Sequence, residues 1–209
     1  MTTLYPEIHA FLQEAEKHFD TIAAARKEAL HRFSQYMKRK SDNHQPILLT
    51  FICTHNSRRS HFAQIWAQAA AAYYHVQGVV CYSGGTEITA FNPNAVRALQ
   101  AAGFRITGNA NENNPHYLVD LGDQLPSIEA FSKKYADAPN PAADYGAILT
   151  CDHADESCPV VFGAEERFKI AYSDPKLSDG TPQQEAVYKE RSGQIATEML
   201  YTFSLVKQR

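Results

Sequence analysis

From residue 47 onward the chain alternates short apolar runs with segments of helical periodicity, and this alternation limits its fold more than any other feature. Apolar runs at 47–52 and 78–85 suit buried strands, whereas 60–76 and 92–103 carry the spacing of helices. This strand-helix order predicts an α/β domain with a mostly parallel sheet flanked by helices. In such sheets, ligands bind beyond the carboxyl ends of the strands.

The second half of the chain extends this pattern. Residues 116–122 and 127–135 suit a hairpin or a pair of edge strands, 145–151 a strand ending in cysteine, and 167–175 a strand ending in Asp-Pro. The segment 181–206 predicts a long terminal helix. An N-cap, a first-turn proline and the end of a capping box mark its start: Thr181, Pro182 and Gln184.

The N-terminal part lies outside this alternation. Residues 6–40 predict two helices with a break near Asp20, and 38–46 reads as a polar linker. We therefore expect an N-terminal helical extension at 1–45 and a catalytic domain at 46–209. The helices could pack on the domain, form a homodimer or cover the active site.

Composition narrows the classes of function. The chain has 209 residues, a formal net charge of −3 and four cysteines. This balance argues against a nucleic-acid partner, and no apolar run reaches the ~18 residues of a membrane span. The N-terminus lacks the apolar core of a secretory signal. We expect a cytoplasmic protein with reduced thiols, whose cysteines are reactive, metal-binding or simply buried.

The segment at 48–64 carries the most chemistry. An apolar run ends at Cys53, and a helix is predicted to begin a few residues later. Loop amides and the free N–H groups of a helix N-terminus form an anion site, where a thiol should exist partly as thiolate. Arg59 adds a planar fork for two oxyanion oxygens, and Ser60 could donate a hydrogen bond to the sulfur. The alternative is a buried strand-end thiol beside a solvated arginine.

Two further residues lie at predicted strand ends, where they could share a face with Cys53. Asp174 precedes a proline and could protonate the leaving oxygen of a phosphate ester, although Asp-Pro is also a common turn. Cys151 ends the strand at 145–151. Cys81 lies in a strand interior and is expected to belong to the core.

Three segments carry a family resemblance. "FICTHNSRRS" at 51–60 resembles the phosphate-binding loop of the low-molecular-weight protein tyrosine phosphatase superfamily, which includes the thioredoxin-coupled arsenate reductases. "CDHADESCP" at 151–159 resembles the resolving-cysteine segment of those reductases, and "YSDP" at 172–175 resembles the superfamily's general-acid loop. The resemblance covers about 46–209 and implies a three-layer α/β fold.

The resemblance also implies roles for individual residues. Cys53 is the nucleophile, Arg59 binds the oxyanion and Asp174 is the general acid, while Cys151 and Cys158 are the reductase's further thiols. The oxyanion-binding residues are those of the loop and helix start: Thr54, His55, Asn56, Ser57, Arg58, Arg59 and Ser60. Two of them depart from the family pattern, since His55 stands where glycine is usual and Arg58 where a second cysteine is frequent.

Cys151 and Cys158 are seven residues apart. In a continuous helix they would be roughly 10 Å apart along the axis, whereas a disulfide needs α-carbons within ~7 Å. The polar residues between them suit a segment that can unwind. In the implied relay, Cys151 attacks the Cys53 adduct and Cys158 then resolves the resulting disulfide. A zinc site that includes His153 and a pair of inert thiols are the alternatives.

Three functions follow from these residues. We favour an arsenate reductase without a tightly bound cofactor or metal, which draws electrons from thioredoxin or a similar thiol reductant. The second is a phosphatase of the same superfamily that acts on a phosphate ester through Cys53, Arg59 and Asp174. In the tyrosine phosphatases of this superfamily, aromatic residues commonly follow Asp-Pro and help to flank the phenyl ring of the substrate. The segment after Pro175 offers none, which lowers the support for this second function. The third is a non-catalytic phosphate-binding module.

Overall fold

The computed structural model describes residues 3–108, 113–152, 154 and 160–206. The strands are β1 Ile47–Cys53, β2 Val79–Gly85, β3 Arg105–Gly108, β4 Tyr117–Asp120, β5 Ile128–Ala130, β6 Tyr145–Leu149 and β7 Ala164–Lys169. A four-stranded parallel sheet with strand order β2-β1-β6-β7 forms the centre, and β3-β4-β5 form a separate three-stranded antiparallel sheet. The helices are α1 Pro6–Glu16, α2 Ala24–Asp42, α3 Arg59–Tyr73, α4 Pro93–Ala101 and α5 Gln184–Ser204.

The central strands are buried on both faces, as a parallel sheet requires. Successive side chains of a strand point to opposite faces, and in β1 Leu49 and Phe51 join the larger apolar core while Leu48 and Ile52 pack in a smaller one. Helices α1, α2, α3 and α5 contribute to the larger core. The predicted α/β fold with a parallel sheet between helices is confirmed.

The segments predicted as a hairpin or edge strands are antiparallel neighbours. Val119 of β4 pairs with Ile128 of β5, and β3 pairs with the other side of β4. This small sheet is not an extension of the central one, because its strands pair only with one another in the described part of the chain.

The N-terminal helices are integrated into the larger core. The break predicted near Asp20 is present as a short 3-10 turn, Phe19–Thr21, between α1 and α2. Five of their apolar side chains are fully buried: Ile8, Leu12, Leu30, Phe33 and Met37. The division at residue 45 stays a prediction, but these helices supply part of the core on which the sheet packs.

Several boundaries differ from the predicted ones, and those of α2, β7 and α5 have a clear cause or consequence. Helix α2 runs through most of the presumed linker to Asp42, because Lys40 is buried and its Nζ lies 2.8 Å from a Glu165 carboxylate oxygen. Strand β7 ends at Lys169, so Asp174 lies in the loop beyond it.

The start of α5 also differs. Its N-cap is Gln183 rather than Thr181, whose hydroxyl instead donates to the Ser178 carbonyl. The Gln184 side chain does reach back over the helix start, where it accepts a hydrogen bond from the Gly180 N–H at 2.8 Å.

Among the described residues, no helix combines the length and the apolar character that crossing a bilayer demands.

Candidate active site

The predicted strand-loop-helix unit is present at the carboxyl end of the central sheet. Strand β1 ends at Cys53, and α3 begins at Arg59. Between them Asn56 adopts a φ of 42°, a left-handed conformation that asparagine tolerates better than most residues. Cys53 is almost completely buried, with 3% of its surface exposed.

The backbone of this loop is held from its outer side. Four of its carbonyl groups accept hydrogen bonds from the segment 86–92. The pairs are Thr86 N–H with Cys53 O (3.2 Å), Glu87 N–H with Thr54 O (2.8 Å), the Thr89 hydroxyl with His55 O (2.8 Å) and Asn92 N–H with Ser57 O (2.9 Å). Because the C=O and N–H of a trans peptide unit point in opposite directions, the amides of these units point away from the segment 86–92. That arrangement suits an anion.

A close approach of strand β2 supports the same loop. A Cβ atom added to Gly85 would lie 2.7 Å from the Thr54 carbonyl oxygen and 2.8 Å from the Asn56 nitrogen, both backbone atoms. Only glycine lets β2 and the loop approach this closely.

A buried hydrogen-bond chain leads from the loop to the Cys53 sulfur. The Lys133 N–H donates to Asn56 Oδ1 at 3.0 Å, which fixes the orientation of that amide. Asn56 Nδ2 therefore faces Ser60 Oγ, to which it donates at 2.9 Å. The Ser60 hydroxyl proton is then available for Cys53 Sγ, 3.2 Å away. The chain places a hydroxyl donor against the sulfur, the arrangement that stabilises a thiolate.

Arg59 and Asp174 meet at the mouth of the loop. Arg59 Nη2 donates to Asp174 Oδ2 at 2.9 Å, and Nη1 donates to the Tyr172 carbonyl at 3.0 Å. Asp174 also caps the 3-10 turn Pro175–Ser178 by accepting from the Lys176 N–H at 3.0 Å. The acid predicted from the sequence is thus adjacent to the predicted oxyanion-binding arginine.

The Arg58 guanidinium points to different partners. Its Nε donates to the Tyr188 hydroxyl at 2.8 Å, and its Nη2 lies 3.5 Å from Asp179 Oδ2. A longer contact of 3.9 Å joins Nη1 to Asp174. The oxyanion-binding role of Arg58 stays a prediction.

Cys151 lies beside the loop, one strand over from Cys53. Its sulfur is 3.5 Å from Thr54 Oγ1 and accepts the Ala154 N–H at 3.3 Å. Both cysteines belong to the smaller apolar core. Cys158 and His153 lie outside the described residues, so neither the predicted relay partner nor the zinc alternative is placed. Cys81 is buried as expected, and burial raises the pKa of its thiol above the usual range.

A groove of about 210 Å³ opens beside the loop. It is lined by His55, Ser57, Arg58, Thr89, Ala90, Asn92, Pro93 and Lys176. His55 Nε2 lies 3.6 Å from a Glu87 carboxylate oxygen, and both side chains are partly exposed. The histidine that replaces the usual glycine therefore faces the rim of the site.

Two titratable residues under the loop were not found from the sequence. His61 is fully buried and stacks on Phe91, and burial together with the nearby Lys133 lowers its pKa to about 3. Burial also lowers the pKa of Lys133 to about 8. His61 lies only two positions after Arg59, but a buried face of α3 is evident only once α3 is packed. Lys133 carries no motif.

Comparison with known proteins is consistent with this geometry. No protein-family model matches the chain. It is 26% identical over 149 residues to an arsenate reductase of Halalkalibacterium halodurans, which covers 71% of this chain and 88% of that protein. It is 24% identical over 144 residues to an arsenate reductase of Bacillus subtilis, covering 69% and 85%.

Solved structures show the fold. The low-molecular-weight protein tyrosine phosphatase of T. tengcongensis aligns with a TM-score of 0.50 at 17% identity, over 74% of this chain and 96% of that one. The sequence relatives support an enzyme of the arsenate reductase type, whereas the solved structure shows the fold alone. The chain is a sequence relative of the curated arsenate reductases, and it has the fold of the low-molecular-weight protein tyrosine phosphatases.

Proposed function

We propose that the chain is a thiol-based arsenate reductase with Cys53 as the nucleophile. The observation that carries the proposal is the second thiol at the anion loop, since Cys151 Sγ lies 3.5 Å from Thr54 Oγ1, next to the nucleophile. A phosphate-ester hydrolase needs one thiolate, whereas reduction of As(V) to As(III) consumes two electrons, which two thiols supply when they form a disulfide.

The first step is attack on the oxyanion. The Cys53 thiolate, with Ser60 as its hydrogen-bond donor, attacks the arsenic of arsenate held by the loop amides and Arg59. An arsenic–sulfur bond forms and an arsenic–oxygen bond breaks, and the departing oxygen leaves as water. Asp174, in its protonated form, is placed beside Arg59 to give the proton.

The second step is reduction. The Cys151 thiolate attacks Cys53 Sγ, the arsenic–sulfur electron pair leaves with arsenic, and arsenite is released. Cys53 and Cys151 are then joined as a disulfide. Cys158 attacks Cys151 Sγ, returns Cys53 as thiolate and forms a second disulfide, which an external dithiol such as thioredoxin reduces.

A phosphatase is the second candidate, and the position of Asp174 beside the arginine of the anion loop favours it. In that reaction Cys53 takes the phosphoryl group, Asp174 protonates the leaving oxygen and water releases phosphate. Cys151 has no part in these steps. The two candidates therefore differ in how they depend on Cys151.

Serine variants of the cysteines test the proposal. We expect Cys53→Ser to abolish both arsenate reduction with a thioredoxin system and aryl phosphate hydrolysis, because a serine hydroxyl is a far weaker nucleophile at neutral pH. Cys151→Ser should stop arsenate turnover and spare any hydrolysis. Cys158→Ser should stall after one turnover with a Cys53–Cys151 disulfide visible in non-reduced peptides. Cys81→Ser, a change at a buried thiol away from the loop, serves as the control.

Two outcomes would contradict the proposal. If Cys151→Ser and Cys158→Ser both reduce arsenate as fast as the wild type, the relay is wrong. If the wild type hydrolyses aryl phosphates but leaves arsenate unreduced, the phosphatase takes its place.

A further inference from the structure

An arginine of the N-terminal helices reaches the loop that carries the candidate acid. The guanidinium carbon of Arg26, near the start of α2, lies 4.6 Å from the ring centroid of Tyr172. Its Nε donates to Glu198 Oε2 at 2.8 Å, and its Nη2 lies 2.8 Å from the same oxygen. The Arg26 side chain is 21% exposed and that of Glu198 5%. This largely buried pair joins α2 to α5 and covers one face of the tyrosine.

Tyr172 is also held through its backbone, and Glu198 is held by a second residue. Its ring is buried, and its N–H donates to the Thr150 carbonyl at 3.0 Å. Gln194 Nε2 donates to the second carboxylate oxygen of Glu198 at 3.1 Å, which holds that acid in place. Arg26 thus lies over the aromatic face of Tyr172, Thr150 accepts from its backbone N–H, and Gln194 holds the Glu198 carboxylate that pairs with Arg26.

The opposite end of Tyr172 holds the arginine of the anion loop. The Tyr172 carbonyl accepts from Arg59 Nη1 at 3.0 Å, and Asp174, two residues on, accepts from Nη2 at 2.9 Å. A guanidinium is planar, so two anchors on its two Nη atoms fix both its position and the tilt of its plane. A shift of Tyr172 would move both anchors.

We propose that Arg26 is a positioning residue that fixes the Arg59 guanidinium and Asp174 through Tyr172. The N-terminal helices then belong to the architecture of the active site. The inference rests on the proposed oxyanion-binding role of Arg59. Removal of Arg26 would leave Glu198 as an uncompensated buried charge and free one face of the Tyr172 ring.

A conservative substitution of Arg26 distinguishes an effect on the position of Arg59 and Asp174 from a loss of fold stability. Arg26→Lys retains the positive charge opposite Glu198 but removes the planar group that lies over Tyr172 and the Nε donor to Glu198. We therefore expect its melting temperature to stay close to that of the wild type. Arg32→Lys is the matched control, because Arg32 is exposed on the same helix.

Two measurements test the proposal. The phosphate concentration that protects Cys53 from iodoacetamide gives the oxyanion affinity, and hydrogen–deuterium exchange of peptides over 170–178 gives the order of the acid loop. We expect Arg26→Lys to weaken phosphate binding about tenfold and to speed exchange in that segment, since a misplaced binding group is costly even when its charge remains. Arg32→Lys should match the wild type in both.

The outcomes distinguish this inference from the proposed function. If the wild type shows no protection by phosphate, the proposed oxyanion site fails. If the wild type binds phosphate but Arg26→Lys equals Arg32→Lys in affinity, the positioning role is overturned, whether or not exchange changes. Unchanged exchange over 170–178 would overturn it independently.

Discussion

Replacement of Ser60 by alanine tests the chemistry of the loop most directly. Ser60 is fully buried, accepts from Asn56 Nδ2 at 2.9 Å and lies 3.2 Å from Cys53 Sγ. The Lys133 N–H orients the Asn56 amide so that its Nδ2 donates to Ser60 Oγ, which leaves the Ser60 proton free to be donated to the sulfur. Alanine removes that donor without adding volume.

The expected slowing of alkylation in Ser60→Ala follows from the negative charge of the acceptor, the Cys53 sulfur as thiolate. A hydrogen bond to an ionised group contributes about 1.5–3 kcal/mol. Each 1.4 kcal/mol is a factor of about ten, so loss of the donor should slow alkylation of Cys53 about 10- to 140-fold. Water cannot readily replace the lost donor, because Cys53 is only 3% exposed. The unpaired Asn56 amide should also lower the free energy of unfolding by about 1–3 kcal/mol.

The assay is alkylation of Cys53 by iodoacetamide at pH 5–6, followed by mass spectrometry of its peptide, since only the thiolate reacts appreciably. Ser192→Ala is the matched control. Ser192 is a buried serine that accepts from Trp66 Nε1 at 2.9 Å, so its loss should destabilise the fold without slowing alkylation. A folded Ser60→Ala protein that is alkylated within twofold of the wild-type rate would refute the assigned direction of the hydrogen bond.

Two further predictions concern the neighbouring side chains. Arg59→Lys should weaken phosphate protection of Cys53 strongly, whereas Arg58→Lys should mainly lower the free energy of unfolding, by about 1 kcal/mol, because it loses the Nε donor to Tyr188. Equal losses of phosphate affinity would mean that the binding arginine is misassigned. Burial lowers the pKa of His61 to about 3 from 6.5, so stability should be fully present above pH 6.5 and decline as the pH falls toward 3. In urea unfolding, His61→Gln should flatten that decline, and an unchanged pH slope would contradict the burial argument.

The sequence alone was sufficient to predict the strand-loop-helix unit because its parts are local. A strand, a short loop and a helix start are specified by consecutive residues, and Cys53, Arg59 and Ser60 lie within eight positions of one another. The alternation of apolar runs and helical segments likewise predicted the parallel sheet, since the period of each segment depends on near neighbours. The chain order of strands then placed Cys151 on the same edge.

Element ends were less predictable where tertiary contacts decide them. Helix α2 continues through polar residues because Lys40 donates a hydrogen bond to Glu165, 125 positions away. The polar composition of 38–46 predicts a linker. Local periodicity contains no information about a contact with a residue so distant in the sequence, so the continued helix was not predicted. The start of α5 was misjudged for a related reason, because the Thr181 hydroxyl bonds to the preceding turn instead of to the helix.

The support of the site depended entirely on the folded chain. Lys133 fixes the Asn56 amide across 77 positions, and Arg26 meets Glu198 across 172. Neither contact can be predicted from the spacing of nearby residues, since each exists only after helices and loops from distant segments have packed against one sheet. The sequence by itself determined which groups could perform the chemistry, whereas the tertiary structure decided which buried partners hold them in position.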